Sequence, residues 1–137
     1  KVDAVENGYD DAIMLGDNDV VAEGSGQNLF LIKNGKIYTP PIETGALGGI
    51  TRKTVIEIAN NLGLETEETN INADQLKDAD ELFFTGTATE VVGVVSVDGE
   101  DITDGKPGEI TGNIRQKYLE IVNGENEDFL HYLTLVK

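Results

Sequence analysis

The sequence predicts a single, strand-rich domain of the mixed α/β class that contains two long helices. Its 137 residues are enough for one domain with a real hydrophobic core. Short apolar segments bounded by glycine, asparagine and aspartate are typical of strands joined by tight turns. Two longer segments, residues 51–62 and 112–122, instead place apolar side chains at helical spacing. No internal repeat or linker divides the chain, which favours one compact unit.

An N-terminal helix and a β-meander are predicted for the first forty residues. Residues 1–7 are typical of the last turns of a helix that ends at Gly8. Because no helix-start signal precedes them, we expect the natural polypeptide to continue upstream. Asn34 and Gly35 predict a tight hairpin turn, and a pair of prolines ends the meander. Its extended segments are predicted at residues 12–15, 20–23, 28–33 and 36–39.

Helices and further strands are predicted for the rest of the chain. Gly63 marks the end of the first long helix, and Asn72 is expected to cap a short one. The apolar faces of the long helices are expected to comprise Val55, Ile58, Ala59 and Leu62 in the first and Ile114, Tyr118, Ile121 and Val122 in the second. The remaining predictions are strands at residues 64–71, 81–85 and 90–97, a helix at 72–77, a return strand near Ile102 after the Asp98-Gly99 turn, and a docked tail at 129–136.

Composition limits the classes of function. The formal charge of −16 comes from 26 acidic and 10 basic residues; it argues against nucleic-acid and anionic-membrane partners, because these need clustered Lys and Arg. The absence of cysteine excludes disulfides and Cys-based chemistry, and the scattered carboxylates predict no metal site. No apolar run approaches a bilayer span, and without a signal-like N-terminus we expect a cytoplasmic protein. An anionic ligand would have to be held mainly by backbone N–H groups.

Three segments could carry chemistry, and each also has a purely structural interpretation. Glu23 ends an apolar strand before a Gly-Ser-Gly turn, so it is either an exposed carboxylate on a hairpin or a carboxylate held in a cleft. In L-G-G-I-T-R, residues 47–52, two glycines precede a helix N-terminus. The N–H groups of Ile50 and Thr51 either bind an anion or belong to a helix that Thr51 itself caps. In F-F-T-G-T-A-T-E, residues 83–90, small polar residues suit either a close-fitting ligand or a plain loop.

Taken together, the three segments resemble the signature of the fold-type IV pyridoxal-phosphate enzymes. E-G-S-G-Q-N-L-F, L-G-G-I-T-R and A-D-E-L-F-F-T-G-T-A-T-E occur in that order, at residues 23–30, 47–52 and 79–90. The segment G-K-I-Y-T-P-P and the later V-D-G and G-K-P-G also match, so the resemblance covers essentially the whole chain. Within the family, residues 86–88 and the acidic-aromatic tail at 124–133 are most similar to branched-chain amino-acid aminotransferase, ahead of D-amino-acid aminotransferase and aminodeoxychorismate lyase.

The resemblance implies a binding site for pyridoxal phosphate. A carboxylate beside the pyridine nitrogen favours its protonation, which makes the cofactor an electron sink. The residues implied to bind the cofactor are Glu23 at the ring nitrogen, Leu47 on the ring face, Gly49, Ile50 and Thr51 around the phosphate, and Thr87 as a second phosphate contact. This agrees with the composition, because an acidic domain would hold a phosphate by amides and hydroxyls.

The resemblance also implies substrates and an assembly. A branched-chain enzyme would transfer the amino group of L-leucine, L-isoleucine or L-valine to 2-oxoglutarate, and members of the family are commonly homodimers or larger. The backbone amides of Ala88 and Thr89 would receive the substrate's α-carboxylate. Thr89 departs from the alanine that is usual in the branched-chain enzymes, which leaves specificity open if its side chain lines the pocket.

The catalytic lysine of the family has no counterpart in this chain. It lies upstream of the Glu23 segment, in a stretch that is missing here together with the small N-terminal domain, and Lys1 does not match it. Amino transfer needs that amine as nucleophile and proton carrier. The chain is therefore predicted to contain no catalytic residue and to be inactive alone. A non-catalytic ligand-binding module is the alternative from a different functional class.

Overall fold

The computed structural model describes residues 1–134, in which a five-stranded sheet separates two long helices from a group of shorter elements. The strands of this sheet are β3 (Asn28–Lys33), β4 (Lys36–Thr39), β5 (Thr66–Glu68), β6 (Glu81–Gly86) and β7 (Glu90–Val94). The helices are α1 (Val2–Glu6), α2 (Ile50–Asn61), α3 (Ala73–Lys77) and α4 (Glu109–Val122). Two further pairs of short strands are β1 (Ile13–Leu15) with β2 (Val21–Gly24), and β8 (Ser96–Val97) with β9 (Glu100–Asp101). The predicted mixed α/β class is confirmed.

The strand order of the main sheet is β5-β4-β3-β6-β7, with all neighbours antiparallel except the edge pair β4–β5. The predicted hairpin between β3 and β4 is present, with φ of 52° at Asn34 and 75° at Gly35. Positive φ at both central residues is the conformation that matches the twist of a two-residue hairpin. The pairing of β3 with β6 places Asn28 opposite Thr85, so the first residue of one strand meets the end of the other.

Alternation along the central strands builds two hydrophobic layers. Phe30 of β3 and Phe83 of β6 face α2 and α4, and their rings stack with centroids 4.9 Å apart. Leu29 and Leu82 point to the opposite side and pack with Ile71 and the residues around α3. Because side chains of a strand alternate between faces, Asn28 lies on the same side of the sheet as Phe30 and the long helices.

The strand predictions need three corrections. The β-meander is interrupted, because Gly24 N–H donates to the Gln27 carbonyl (2.7 Å) and this turn leaves β2 paired with β1, outside the main sheet. The strand predicted at 64–71 is only Thr66–Glu68, since the chain then leaves the sheet and Ile71 accepts a hydrogen bond from Val21 N–H (2.8 Å). The strand predicted at 90–97 breaks at Val95, whose carbonyl accepts instead from Ile102 N–H (2.8 Å).

The helix predictions are confirmed except at the ends. Asn72 is the N-cap of α3, as predicted, and its N–H donates to the Gln75 side chain (2.8 Å). Helix α4 begins at Glu109, three residues before the predicted start, because the Glu81 carboxylate accepts from the N–H groups of its first turn. Leu62 and Val122 are 37% and 46% exposed, so the buried faces end before these residues.

The C-terminal tail is described only in part. A 3-10 segment, Glu127–Tyr132, buries Phe129 against the α2–α4 layer, as expected of a docked tail. Residues 135 and 136 of that prediction lie outside the described residues. Within residues 1–134, no helix is both long enough and apolar enough to cross a membrane.

Candidate functional site

The three chemical segments converge on one end of the main sheet. The cross-strand pair Asn28–Thr85 joins the segment that carries Glu23 to the turn after β6. The loop between β2 and β3 packs on that turn, since a Cβ placed on Gly86 would lie 3.5 Å from the Gly26 carbonyl. The N-terminus of α2 reaches the same place, because Gly49 lies directly against the Asn28 side chain.

Glu23 is held by neutral donors from two other segments. Its Oε2 atom accepts from Leu47 N–H at 2.8 Å and from Asn28 Nδ2 at 3.3 Å. The same Nδ2 donates to the Leu47 carbonyl at 2.7 Å, which closes a ring of three residues. Glu23 is half-buried and lines an open cavity of about 460 Å³ together with Ser25. Of the two interpretations of this residue, the structure matches a carboxylate held in a cleft.

The start of α2 lacks a cap of its own. Gly49 is the N-cap residue and offers no side chain, and Thr51 lies inside the helix at its second position, 5% exposed. Thr51 therefore does not cap its own helix, which was one of the two interpretations of this segment. Within residues 1–134, the N–H groups of Ile50, Thr51 and Arg52 have no hydrogen-bond partner, and no acidic residue occupies the first turn. These groups and the helix dipole are available to an anion.

Helix α4 shows the opposite arrangement, which makes the open start of α2 informative. The Glu81 carboxylate accepts from Ile110 N–H (3.0 Å), Thr111 N–H (2.7 Å) and Thr111 Oγ1 (2.6 Å). A carboxylate at a helix N-terminus satisfies orphan donors and interacts favourably with the dipole. In a chain with 26 acidic residues, the absence of such a carboxylate from the first turn of α2 leaves its N–H groups free for a ligand.

Arg52 fixes α2 against the sheet edge and was not singled out from the sequence. It is 7% exposed, and its Nη2 donates to the Pro40 carbonyl (3.1 Å) and to Glu68 Oε2 (2.7 Å). Its place in L-G-G-I-T-R is the only local signal, because the partners come from β5 and the end of β4.

The turn between β6 and β7 presents unpaired backbone donors. Thr87 and Ala88 are exposed and Thr89 is half-buried, and Glu90 ends the turn with φ of 58°. Within the described part of the chain, the N–H groups of residues 87–89 donate to no other group. The Thr85 hydroxyl just before the turn is fully buried and has no hydrogen-bond partner in residues 1–134.

Asp11 anchors the loop between β2 and β3. Its carboxylate accepts from the Ser25 hydroxyl, from Gln27 Nε2 (2.9 Å), from Lys1 Nζ (2.9 Å) and from Ala12 N–H (2.8 Å). Burial alone would raise the pKa of the Asp11 carboxyl, but these hydrogen bonds outweigh it and hold the pKa well below its usual range. No local pattern in the sequence indicates this role, because Ser25 and Gln27 lie far along the chain.

Replacing Asp11 with asparagine is expected to lower the free energy of unfolding at pH 7 by about 1–2 kcal/mol, because charge-assisted hydrogen bonds become neutral ones. Folding lowers the pKa of this carboxyl, so the stabilisation is complete above the unfolded value of about 4 and declines as pH falls further. Urea unfolding at pH 7 and pH 3 should show the difference shrinking at the lower pH. The exposed neighbour Asp10 provides the control, Asp10→Asn; an equal loss from both variants contradicts the assignment.

The site combines groups suited to a ligand that is cationic at one end and anionic at the other. Glu23 offers an oriented carboxylate, whereas Thr51 and the first N–H groups of α2 offer anion-binding donors. Leu47 is 71% exposed, lies between them in sequence and hydrogen-bonds to Glu23 through its backbone. Within residues 1–134, no cluster of three or more acidic or histidine side chains could hold a metal ion.

Comparison with known proteins identifies the family. Residues 1–97 match the amino-transferase class IV family. The branched-chain-amino-acid aminotransferase of Pseudomonas aeruginosa is 44% identical over 135 residues, which cover 98% of this chain and 44% of that protein. The probable branched-chain-amino-acid aminotransferase of Aquifex aeolicus is 44% identical over 137 residues, 99% of this chain and 44% of that one.

Solved structures agree in fold. A crystal structure of a branched-chain amino acid aminotransferase complexed with N-(5′-phosphopyridoxyl)-L-glutamate matches with a TM-score of 0.97 and 42% identity, covering 100% of this chain and 45% of that chain. The branched-chain aminotransferase of the archaeon Thermoproteus uzoniensis, solved with norvaline, matches with a TM-score of 0.93 and 45% identity, covering 97% of this chain and 44% of that chain. The chain thus spans less than half the length of these relatives, and it belongs to the amino-transferase class IV family.

Proposed function

We propose that these residues form the C-terminal, cofactor-binding domain of a pyridoxal-phosphate-dependent branched-chain aminotransferase. The observation that carries the proposal is the fixed Glu23 carboxylate beside an uncapped α2 N-terminus. The relatives named above support the choice of a branched-chain enzyme over D-amino-acid aminotransferase or aminodeoxychorismate lyase. The complete enzyme would act on L-leucine, L-isoleucine or L-valine with 2-oxoglutarate, as a cytoplasmic homodimer or larger assembly.

The proposed cofactor cradle comprises Glu23, Leu47, residues 49–51 and Thr87. Bound pyridoxal phosphate would supply an electron-withdrawing ring that stabilises negative charge at the substrate's α-carbon. Glu23 would hold a proton at the ring nitrogen, and Leu47 would cover the ring face and exclude water. The N–H groups of residues 50 and 51, with the hydroxyls of Thr51 and Thr87, would bind the phosphate. The open donors at the start of α2 fit this role.

The turn at residues 87–89 would receive the substrate's α-carboxylate through its backbone N–H groups. The departure at Thr89 is compatible with this role, because its Oγ1 lies 3.7 Å from where a Cβ on Gly86 would be, beside the strand end. Amide donors without partners favour an anion irrespective of the side chain that follows. The side-chain preference of the substrate pocket would then depend on other parts of the complete enzyme.

We propose further that this chain alone does not catalyse amino transfer. A nucleophilic lysine must lose its proton, and a neighbouring carboxylate opposes that loss. Within residues 1–134, the lysines with carboxylate partners are Lys1, Lys33, Lys36, Lys77 and Lys117. Glu65 and Glu67 raise the pKa of Lys36, for example. Lys53 and Lys106 are exposed.

Replacing Thr51 with alanine is expected to weaken binding of pyridoxal phosphate to the chain about tenfold, because a hydrogen bond to a charged phosphate contributes about 1.5 kcal/mol. Thr54→Ala is the matched control, since Thr54 lies one turn further along α2 and its hydroxyl donates to the Ile50 carbonyl. Fluorescence titration would measure both variants. Equal affinities for the unsubstituted chain and Thr51→Ala would contradict the cradle.

Activity and lysine labelling test the rest of the proposal. Borohydride reduction of the chain with pyridoxal phosphate should label no single lysine stoichiometrically; specific labelling would contradict the absence of a cofactor lysine. A complete polypeptide that carries these residues should transaminate L-leucine and not D-alanine or aminodeoxychorismate. Activity on the D-amino acid alone would overturn the choice of substrate class.

A further inference from the structure

We propose that Asn28 is a positioning residue that couples the carboxylate end of the cofactor cradle to its phosphate end. This inference rests on the proposed function and concerns a residue that touches neither end of the ligand. Asn28 is 6% exposed, so its side-chain amide is almost fully withdrawn from water. A buried amide must find partners within the protein, which makes its orientation fixed rather than adjustable.

The two N–H groups of Asn28 are divided between two different segments. One points to Glu23 Oε2 (3.3 Å) in β2, and the other donates to the Leu47 carbonyl (2.7 Å) in the segment before α2. Leu47 N–H completes the ring by donating to the same Glu23 oxygen (2.8 Å). The Leu47 carbonyl also accepts from Gly49 N–H (2.8 Å), so the ring continues into the N-cap of α2.

Packing against the Oδ1 side of Asn28 sets how closely the N-terminus of α2 can approach the sheet. A Cβ on Gly49 would overlap Asn28 Oδ1, so the backbone of the N-cap rests directly on the side-chain amide. Asn28 itself begins β3, an interior strand of the sheet, and pairs with Thr85 of the neighbouring interior strand β6. The Asn28 side-chain amide therefore fixes both Glu23 and the phosphate-binding N–H groups of α2 relative to the rigid strand β3.

This geometry predicts that substitution of Asn28 affects the binding of two ligands differently. Inorganic phosphate needs only the phosphate end of the cradle, whereas pyridoxal phosphate needs both ends of the cradle at the correct separation. Asn28→Leu keeps the branched shape and the number of side-chain heavy atoms but removes both donors. We expect this substitution to weaken pyridoxal phosphate binding about tenfold, which is equivalent to roughly 1.4 kcal/mol. Phosphate binding should change by less than about twofold.

The experiment uses the 137-residue chain, with the backbone amide signals of Leu47 and Thr51 followed by NMR during titration with each probe. Selective loss of pyridoxal phosphate affinity supports the inference. Equal weakening of both probes, or no weakening, overturns it while the proposed function stands. If the unsubstituted chain binds no pyridoxal phosphate, the proposed function fails and the inference fails with it.

Amide hydrogen exchange without ligand distinguishes positioning from loss of structure. In Asn28→Leu, exchange at Leu47 should accelerate about tenfold, because the ring that protects its N–H is broken, while Phe30 and Phe83 in the sheet keep their rates. If hydrogen exchange at the sheet amides also accelerates, the comparison is repeated with Asn28→Asp, which leaves the side-chain volume nearly unchanged. Undisturbed protection at Leu47 in both variants would overturn the coupling.

Discussion

Replacing Gly49 with alanine is expected to reduce pyridoxal phosphate binding about tenfold or more and to lower the free energy of unfolding by about 1–3 kcal/mol. The backbone of Gly49 has φ of −65°, so conformational strain is not the cause. The cause is steric, because the new Cβ would overlap Asn28 Oδ1, which belongs to a buried amide held by its own hydrogen bonds. Helix α2 would shift away from the sheet and carry the N–H groups of Ile50 and Thr51 with it.

The adjacent glycine provides a matched control. A Cβ on Gly48 would meet only Ile42 Cγ2, at 4.0 Å, which is an ordinary contact distance. Gly48→Ala should therefore bind pyridoxal phosphate like the unsubstituted chain and unfold at nearly the same urea concentration. If the two alanine variants behaved alike, the close packing of Gly49 on Asn28 would not control the site.

Replacing Glu81 with glutamine is expected to lower the free energy of unfolding by about 2–3 kcal/mol, because the charged acceptor at the start of α4 is lost. The carboxylate accepts three hydrogen bonds there, and one of its oxygens would become an NH₂ group facing a backbone donor. Urea unfolding followed by circular dichroism would measure the effect. Because α4 covers the sheet, the loss should appear in the global transition.

Glu109, which lies in α4 itself, offers a control of equal charge. It lies in the first turn of α4 and is exposed, so Glu109→Gln removes one negative charge near the helix start without removing a buried acceptor. Its effect should stay within about 0.5 kcal/mol, as for ordinary surface substitutions. A comparable loss in both variants would show that net charge, rather than the hydrogen bonds of Glu81, stabilises the helix.

The sequence predicted those structural features that depend on residues close together in the chain. The Asn34-Gly35 hairpin, the Asn72 cap and the end of α2 at Gly63 each depend on residues within a few positions of each other, and the structure contains all three. The early start of α4 could not be predicted in this way. Its first N–H groups are satisfied by Glu81, which lies on a strand far upstream and has no sequence pattern linking it to the helix.

The site shows the same division. The motif around Glu23 and the glycines before Thr51 were recognisable because their chemistry belongs to short segments. The partners that hold those segments in place were not, since Asn28 contacts Leu47 and Asp11 contacts Gln27 only through the tertiary fold. A sequence pattern can therefore indicate the residues that bind a ligand more readily than it can indicate the residues that position those ligand-binding residues.

The pairing of β3 with β6 also has a consequence for the order of folding. Asn28 and Thr85 are distant in sequence, so their pairing closes a long loop, whereas the β3–β4 and β6–β7 hairpins form from neighbouring residues. The hairpins can therefore form early, but Glu23 and the start of α2 gain their common support only after the two hairpins join. A ligand that bridges Glu23 and the start of α2 therefore binds only the folded chain. Such a ligand would slow global unfolding.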